Sequence, residues 1–233
     1  MSRSTLRRSV PFLPFLVLSI VHLIGQLAGI EALAVATKPL LIPSLAVALV
    51  WSVGGRLSAP VVGALLALLL SWFGDVALMR DGSIWFLVGL GAFLLAHLAY
   101  IVLFLRSLGH GRPPRSALLY LVWFALLIFF LWPYLDAMLV PALFYAVVIT
   151  TMALVATRCG PIVTLGATLF LLSDSILAVN KFVPAVVLTQ SGFLVMGTYL
   201  AAQGLIIVGV IHFVRGRAES QVAGSSATVS SHD

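Results

Sequence analysis

Two of the chain's seven acidic residues, Asp75 and Asp174, fall inside long apolar stretches. A carboxylate inside a bilayer costs on the order of 2.5–3.5 kcal/mol on insertion scales, so each is first read as functional. The other five are placed where charge costs little: Asp81 and Asp136 in polar breaks, Glu31 at the end of an apolar run, Glu219 and Asp233 near the C-terminal end. Two carboxylates facing each other in a low dielectric would hold one proton between them, giving one general acid and one general base. Their surroundings match. Ser71-Trp72-Phe73-Gly74-Asp75-Val76-Ala77-Leu78 and Phe170-Leu171-Leu172-Ser173-Asp174-Ser175-Ile176-Leu177 share small-Asp-x-x-Leu at an offset of 99, and Tyr100 and Tyr199 share that offset. An internal repeat is therefore expected, with both aspartates at equal depth. Arg80 and Lys181 follow each Asp by a turn or two, which puts the pair in the outer half of the membrane.

Other polar side chains fall near the pair. Gly89, Phe93, His97 and Tyr100 occupy one helix face at i, i+4, i+8 and i+11. His97 and Tyr100 there either hydrogen-bond between helices or serve the site. Gln203 follows Tyr199 by one turn, a further costly polar group with the same two readings. Ser71 and Ser173 stand beside the motif aspartates. Lys38, before Pro39, would attract a lipid phosphate or simply snorkel to the interface. His22, His110, His212 and His232 are scattered without the spacing of a metal motif, so neither a metal nor an organic cofactor is expected. The single Cys159 permits no disulfide within the chain.

These residues require membrane helices to position them. Of 233 residues, 62% are hydrophobic and 9% charged, and the mean hydropathy is +1.18. A water-soluble fold is excluded, and the fold expected is an all-α polytopic integral membrane protein. Apolar runs place eight transmembrane helices near 10–30, 39–54, 59–79, 84–105, 116–134, 137–157, 161–180 and 184–214, four in each of two parallel repeats. They would form one membrane domain over 1–215, with a disordered tail over 216–233. The basic N-terminal stretch resembles a secretory signal, but its apolar run is long, so it is read as a retained anchor. The net charge of +6 is read as a topology signal, with no nucleic-acid partner. Sorted by helix count, Arg3, Arg7, Arg8, Arg56, Arg106, Arg112, Arg115, Arg158, Arg215 and Arg217 share the side of the termini. Lys38, Arg80 and Lys181 lie opposite, which orients the termini to the cytoplasm and the chain in the plasma (inner) membrane.

Taken in order, several segments resemble the YhhN-like lysoplasmalogenases. They are Thr37-Lys38-Pro39-Leu40, Ser71-x-x-Gly74-Asp75, the Gly89 to Tyr100 face, Tyr145, Gly166-Ala167-x-x-Phe170-x-x-Ser173-Asp174, Lys181-Phe182 and Tyr199-x-x-x-Gln203. The resemblance covers helices two to eight. It implies a membrane-embedded hydrolase that cleaves the vinyl ether bond of lysoplasmalogens, lysophospholipids bearing a 1-alkenyl chain, to a fatty aldehyde and glycerophosphocholine or glycerophosphoethanolamine. Such chemistry suits Asp75 and Asp174 as acid and base without a cofactor. Lys38, Ser71, His97, Tyr100, Ser173, Lys181, Tyr199 and Gln203 would bind or orient the lipid. The alternative from another class is a proton-coupled small-molecule or lipid transporter, which uses intramembrane carboxylates in the same positions. An intramembrane aspartyl protease ranks lower, because Trp72 stands where the first Gly of Gly-x-Gly-Asp belongs. A zinc-dependent lipid hydrolase ranks lower still, for want of histidines.

Overall fold

A computed structural model describes residues 10–186 and 188–229. Arg3, Arg7, Arg8, His232 and Asp233 lie outside them. The described residues form eight α-helices and no strand: α1 Leu13–Leu27, α2 Glu31–Ser52, α3 Ala59–Ala77, α4 Ser83–Leu103, α5 Leu118–Leu135, α6 Leu139–Ala156, α7 Pro161–Phe182 and α8 Ser191–Val229. Continuous helical stretches long and apolar enough to cross a membrane number seven among the described residues. That count falls short of the expected eight because Arg115–Ala156 is one stretch, in which α5 and α6 are joined by the 3-10 turn Asp136–Met138. The chain reverses there. Pro133 interrupts the end of α5, Asp136 has φ 39°, and α6 packs back on α5.

Two boundaries differ from the sequence expectation for physical reasons. Helix α2 begins at Glu31, not near Pro39, and holds Pro39 and Pro43 in its interior. Proline at 43 has no N–H to give the carbonyl of Pro39, and Trp72 Nε1 of α3 donates to that oxygen at 2.8 Å. A neighbouring helix thus repairs the break, the usual route by which membrane helices tolerate proline. Helix α8 begins at Ser191, after a turn that follows Pro184, and continues to Val229. The stretch after Gly216 is therefore helical to that point, where a disordered tail was expected. Arg217, Ala218, Glu219 and Gln221 are good helix formers, and their propensity continues a helix already nucleated.

The two ends of the bundle differ in charge. At one end His110 N–H donates to Arg158 O at 3.0 Å, Arg158 Nε donates to Gly111 O at 2.7 Å, and Arg215 Nη2 donates to Ser52 O at 2.7 Å, capping α2. At the other end Arg80 lies over Trp85 and Lys181 over Phe86. The buried residues of the main core come from every helix except α5, which packs Tyr120 against it and places Leu131 and Leu135 in a small satellite with Val183. Helix α5 is peripheral, with Phe129 82% exposed, and it packs on α6 and α7 while having little contact with α4. An apolar cleft opens between α4, α5, α6 and α7.

The helices that carry the aspartates are held by close seams. A side chain at Gly74 of α3 would put its Cβ 2.6 Å from the Phe93 ring of α4, and one at Gly89 would meet Leu78 at 2.7 Å. At Gly166 of α7 it would meet Ala202 O of α8 at 2.9 Å. Small residues at these crossings let the backbones approach, the packing that replaces the hydrophobic effect inside a bilayer.

Candidate functional site

The site residues fall into two clusters on either side of one phenylalanine. In the first, Asp75 is buried near the C-terminal end of α3 and accepts a hydrogen bond from Tyr199 OH at 2.7 Å. Gln203 lies one turn below Tyr199 on α8 and donates through Nε2 to Ser71 Oγ at 3.0 Å and to Tyr199 OH at 3.4 Å. Tyr100 OH of α4 donates to Gln203 Oε1. The amide is thereby engaged at both ends, and Ser71, Tyr100, Tyr199 and Gln203 form a closed network whose external product is a fixed Asp75 carboxylate.

In the second cluster Asp174 of α7 accepts a hydrogen bond from Tyr145 OH of α6. His97 Nε2 of α4 lies 3.8 Å from Asp174 Oδ2. The imidazole is fully buried, and neither ring nitrogen has a hydrogen-bond partner among the described residues. Asp174 retains 13% exposure because it faces the cleft, whose walls include Phe86, Phe93, Trp123, Tyr145 and Phe182. Asp75 does not line that cleft. Asp174 and Tyr145 lie at the polar end of a largely apolar cleft with about 70 Å³ of free volume.

Phe170 separates the clusters. Its ring meets His97 edge to face at 4.6 Å between centroids, Tyr199 at 5.3 Å and Phe93 at 6.3 Å. The aspartates therefore belong to two networks that share an aromatic wall, and no hydrogen bond between their carboxylates occurs among the described residues. The repeat at offset 99 is not reflected in these bonds either. Its symmetry would pair Tyr100 with Asp174 as Tyr199 pairs with Asp75, whereas Tyr100 binds Gln203 and Asp174 binds Tyr145.

The remaining sequence candidates are dispersed. Ser173 Oγ donates to Val195 O at 2.9 Å and so clamps α7 to α8. Lys38 lines a separate polar pocket with Gln26, Glu31 and Met79. The Lys181 ammonium lies 4.9 Å from the Phe86 ring centroid, at the rim of the cleft. Sequence reasoning does not single out two of the cleft residues as site candidates. Tyr145 enters only through the family resemblance, although it is the single tyrosine of α6. Trp123, whose Nε1 donates to Ser175 Oγ at 3.1 Å, is hidden in the uniformly apolar α5 and gives no sequence signal. Among the described residues no three His, Cys, Asp or Glu side chains are grouped to hold a metal ion.

Comparison with known proteins adds to this geometry. The chain is 35% identical over 127 residues to a protein of Mycobacterium bovis named lysoplasmalogenase, covering 50% of this chain and 49% of the relative. It is 37% identical over 158 residues to lysoplasmalogenase TMEM86B of Sus scrofa, covering 67% and 66%, and 32% identical over 146 residues to the Mus musculus protein of that name, covering 62% of each. The matched stretches thus span about half the length of the mycobacterial relative. No solved structure matches. The model of the YhhN family matches residues 33–210, a range that includes both aspartates and the cleft, and the chain belongs to the YhhN family.

Proposed function

We propose that this protein hydrolyses the vinyl ether bond of lysoplasmalogens, with the reaction at Asp174. The observation that carries the reading is an apolar cleft that ends at the Asp174 carboxylate and Tyr145, with the unpartnered, fully buried imidazole of His97 3.8 Å from that carboxylate. The names of the relatives in Mycobacterium bovis and Sus scrofa support the substrate class. A vinyl ether opens when its distal alkenyl carbon takes a proton, and the resulting oxocarbenium ion adds water. The hemiacetal then collapses to aldehyde and alcohol. Protonated Asp174 supplies the proton, with Tyr145 fixing its rotamer. The same group, then ionised, stabilises the cation and with His97 Nε2 orients the water, which passes its proton back. Each acid or base role is worth about 10²–10⁴-fold.

Asp75 is the second carboxylate of the mechanism, held by Tyr199 behind the Phe93 and Phe170 rings. There its charge favours the cation across a low-dielectric wall. We further infer eight membrane crossings. Helices α5 and α6 have 18 residues each, about 27 Å at 1.5 Å per residue, which fits the hydrocarbon core. The ends carrying Arg56, Arg106, Arg112, Arg115, Arg158, Arg215 and Arg217 then face the cytoplasm of a plasma membrane, and the cleft opens toward the outer leaflet.

The test is aldehyde release by the purified protein from 1-alkenyl glycerophosphocholine and 1-alkenyl glycerophosphoethanolamine in detergent. Fatty aldehyde and the matching glycerophospho-alcohol in equal amounts are expected. Proton-coupled flux in vesicles without either product would instead favour the transporter reading.

A further inference from the structure

The mouth of the cleft carries a cation whose position follows from the helix that bears Asp174. Lys181 comes seven residues after Asp174 in α7, which is about 10.5 Å along the axis and within about 20° of the same face. Leu177, Ala178 and Phe182 line the cleft between and beside them. The ammonium rests over Phe86, and Phe86 meets Phe182 edge to face at 5.9 Å. Among the described residues the one ion pair is that of His97 with Asp174, so no carboxylate neutralises Lys181. An exposed ring face is a weak partner for an ammonium, and a phosphate offers stronger, charge-assisted hydrogen bonds. Lys38, the other lysine of the outer end, lines a pocket that shares no residue with the cleft.

We propose that Lys181 is the phosphate anchor of the lipid and a positioning residue that fixes the depth at which the vinyl ether meets Asp174, while Phe86 and Phe182 form the rim past which the chain enters. This rests on the lysoplasmalogenase reading above. In a lysoplasmalogen seven bonds separate the distal alkenyl carbon from phosphorus, about 8 Å when extended at roughly 1.2 Å per bond. The reach of the lysine side chain covers the rest of the helical spacing, so a phosphate held by Lys181 leaves that carbon level with Asp174. Selectivity follows from the same register. The phosphate is read, whereas choline or ethanolamine projects outward from the mouth and is discriminated weakly.

The test uses the full-length protein in a maltoside detergent. Two measurements are made on wild type, Lys181→Gln, Lys181→Arg, Lys38→Gln and Arg80→Gln. The first is binding of the non-hydrolysable 1-O-alkyl glycerophosphocholine and of 1-O-alkylglycerol, read by tryptophan fluorescence. The second is kcat and KM for the corresponding alkenyl lipids. Lys181→Gln is expected to weaken binding and raise KM about tenfold to a hundredfold for the phosphorylated lipids, with less than a twofold change for the glycerols. Lys181→Arg should recover most of the loss, and Arg80→Gln should remain within twofold of wild type. Equal losses on both lipid types in Lys181→Gln, or a phosphate-selective loss in Lys38→Gln instead, would overturn the anchor. A phosphate-selective binding loss in a protein that releases no aldehyde would uphold the anchor and refute the hydrolase. Aldehyde release unaffected by Lys181→Gln would do the reverse.

Discussion

At the scale of residues, the two aspartates stand out in the sequence as carboxylates inside long apolar stretches, but their separate surroundings do not. Spacing along a helix gives depth and face, which is why Asp75, His97, Tyr100, Asp174, Tyr199 and Gln203 were all singled out. Which side chains meet across helices depends on rotation and crossing angle, which one sequence does not encode at this resolution. Hence Tyr145, not Tyr100, holds Asp174. Tyr145→Phe removes one hydrogen bond to the reacting carboxylate and should lower kcat by about 10–100-fold with little change in KM, measured by initial rates of aldehyde release. Asp75→Asn keeps the shape of the Tyr199 contact but removes the charge. It should slow turnover by at least tenfold while leaving thermal stability near wild type, checked by initial rates and a melting curve. An active Asp75→Asn protein would restrict the chemistry to Asp174.

At the scale of elements, apolar runs located every helix, and the errors arose where local signals were overridden. A helix start near Pro39 is what the sequence suggests, yet the helix runs through both prolines, because the indole of Trp72 satisfies the carbonyl that Pro43 frees. The seams place the site by fixing how closely α3, α4, α7 and α8 approach. Gly166 is the strictest, because a Cβ there meets backbone atoms of α8, Ala202 O at 2.9 Å and Ile206 N at 3.1 Å. Gly166→Ala must therefore displace a helix, and a loss of about 1–3 kcal/mol is expected as a lowered midpoint in thermal unfolding. An unchanged midpoint would show the seam to be looser than its geometry. Cys159 lies between α6 and α7, where burial pushes its thiol up to about 12. A raised value means almost no thiolate at neutral pH, so maleimide should leave Cys159 unmodified while labelling a cysteine introduced at Arg112.

At the scale of the whole molecule, composition alone established a membrane protein, and the distribution of arginine and lysine separated its two ends. The cleft was not legible, because it exists only where peripheral α5 stands away from α4, and nothing in a uniformly apolar helix marks which side faces a void. An introduced cysteine at Arg112 and a reporter fused after Arg217 should both report the cytoplasm, and a label at Gly82 the opposite face. Arg112 and the end after Arg217 on opposite faces would mean that α5 and α6 do not cross separately. The most direct measurement is aldehyde release from 1-alkenyl glycerophosphocholine by the Asp174→Asn protein, with binding of the 1-O-alkyl analogue as the control for folding. The expected result is intact binding with no detectable turnover above background. Intact binding with more than a tenth of the wild-type rate would contradict Asp174 as the proton donor and remove the cleft from the chemistry.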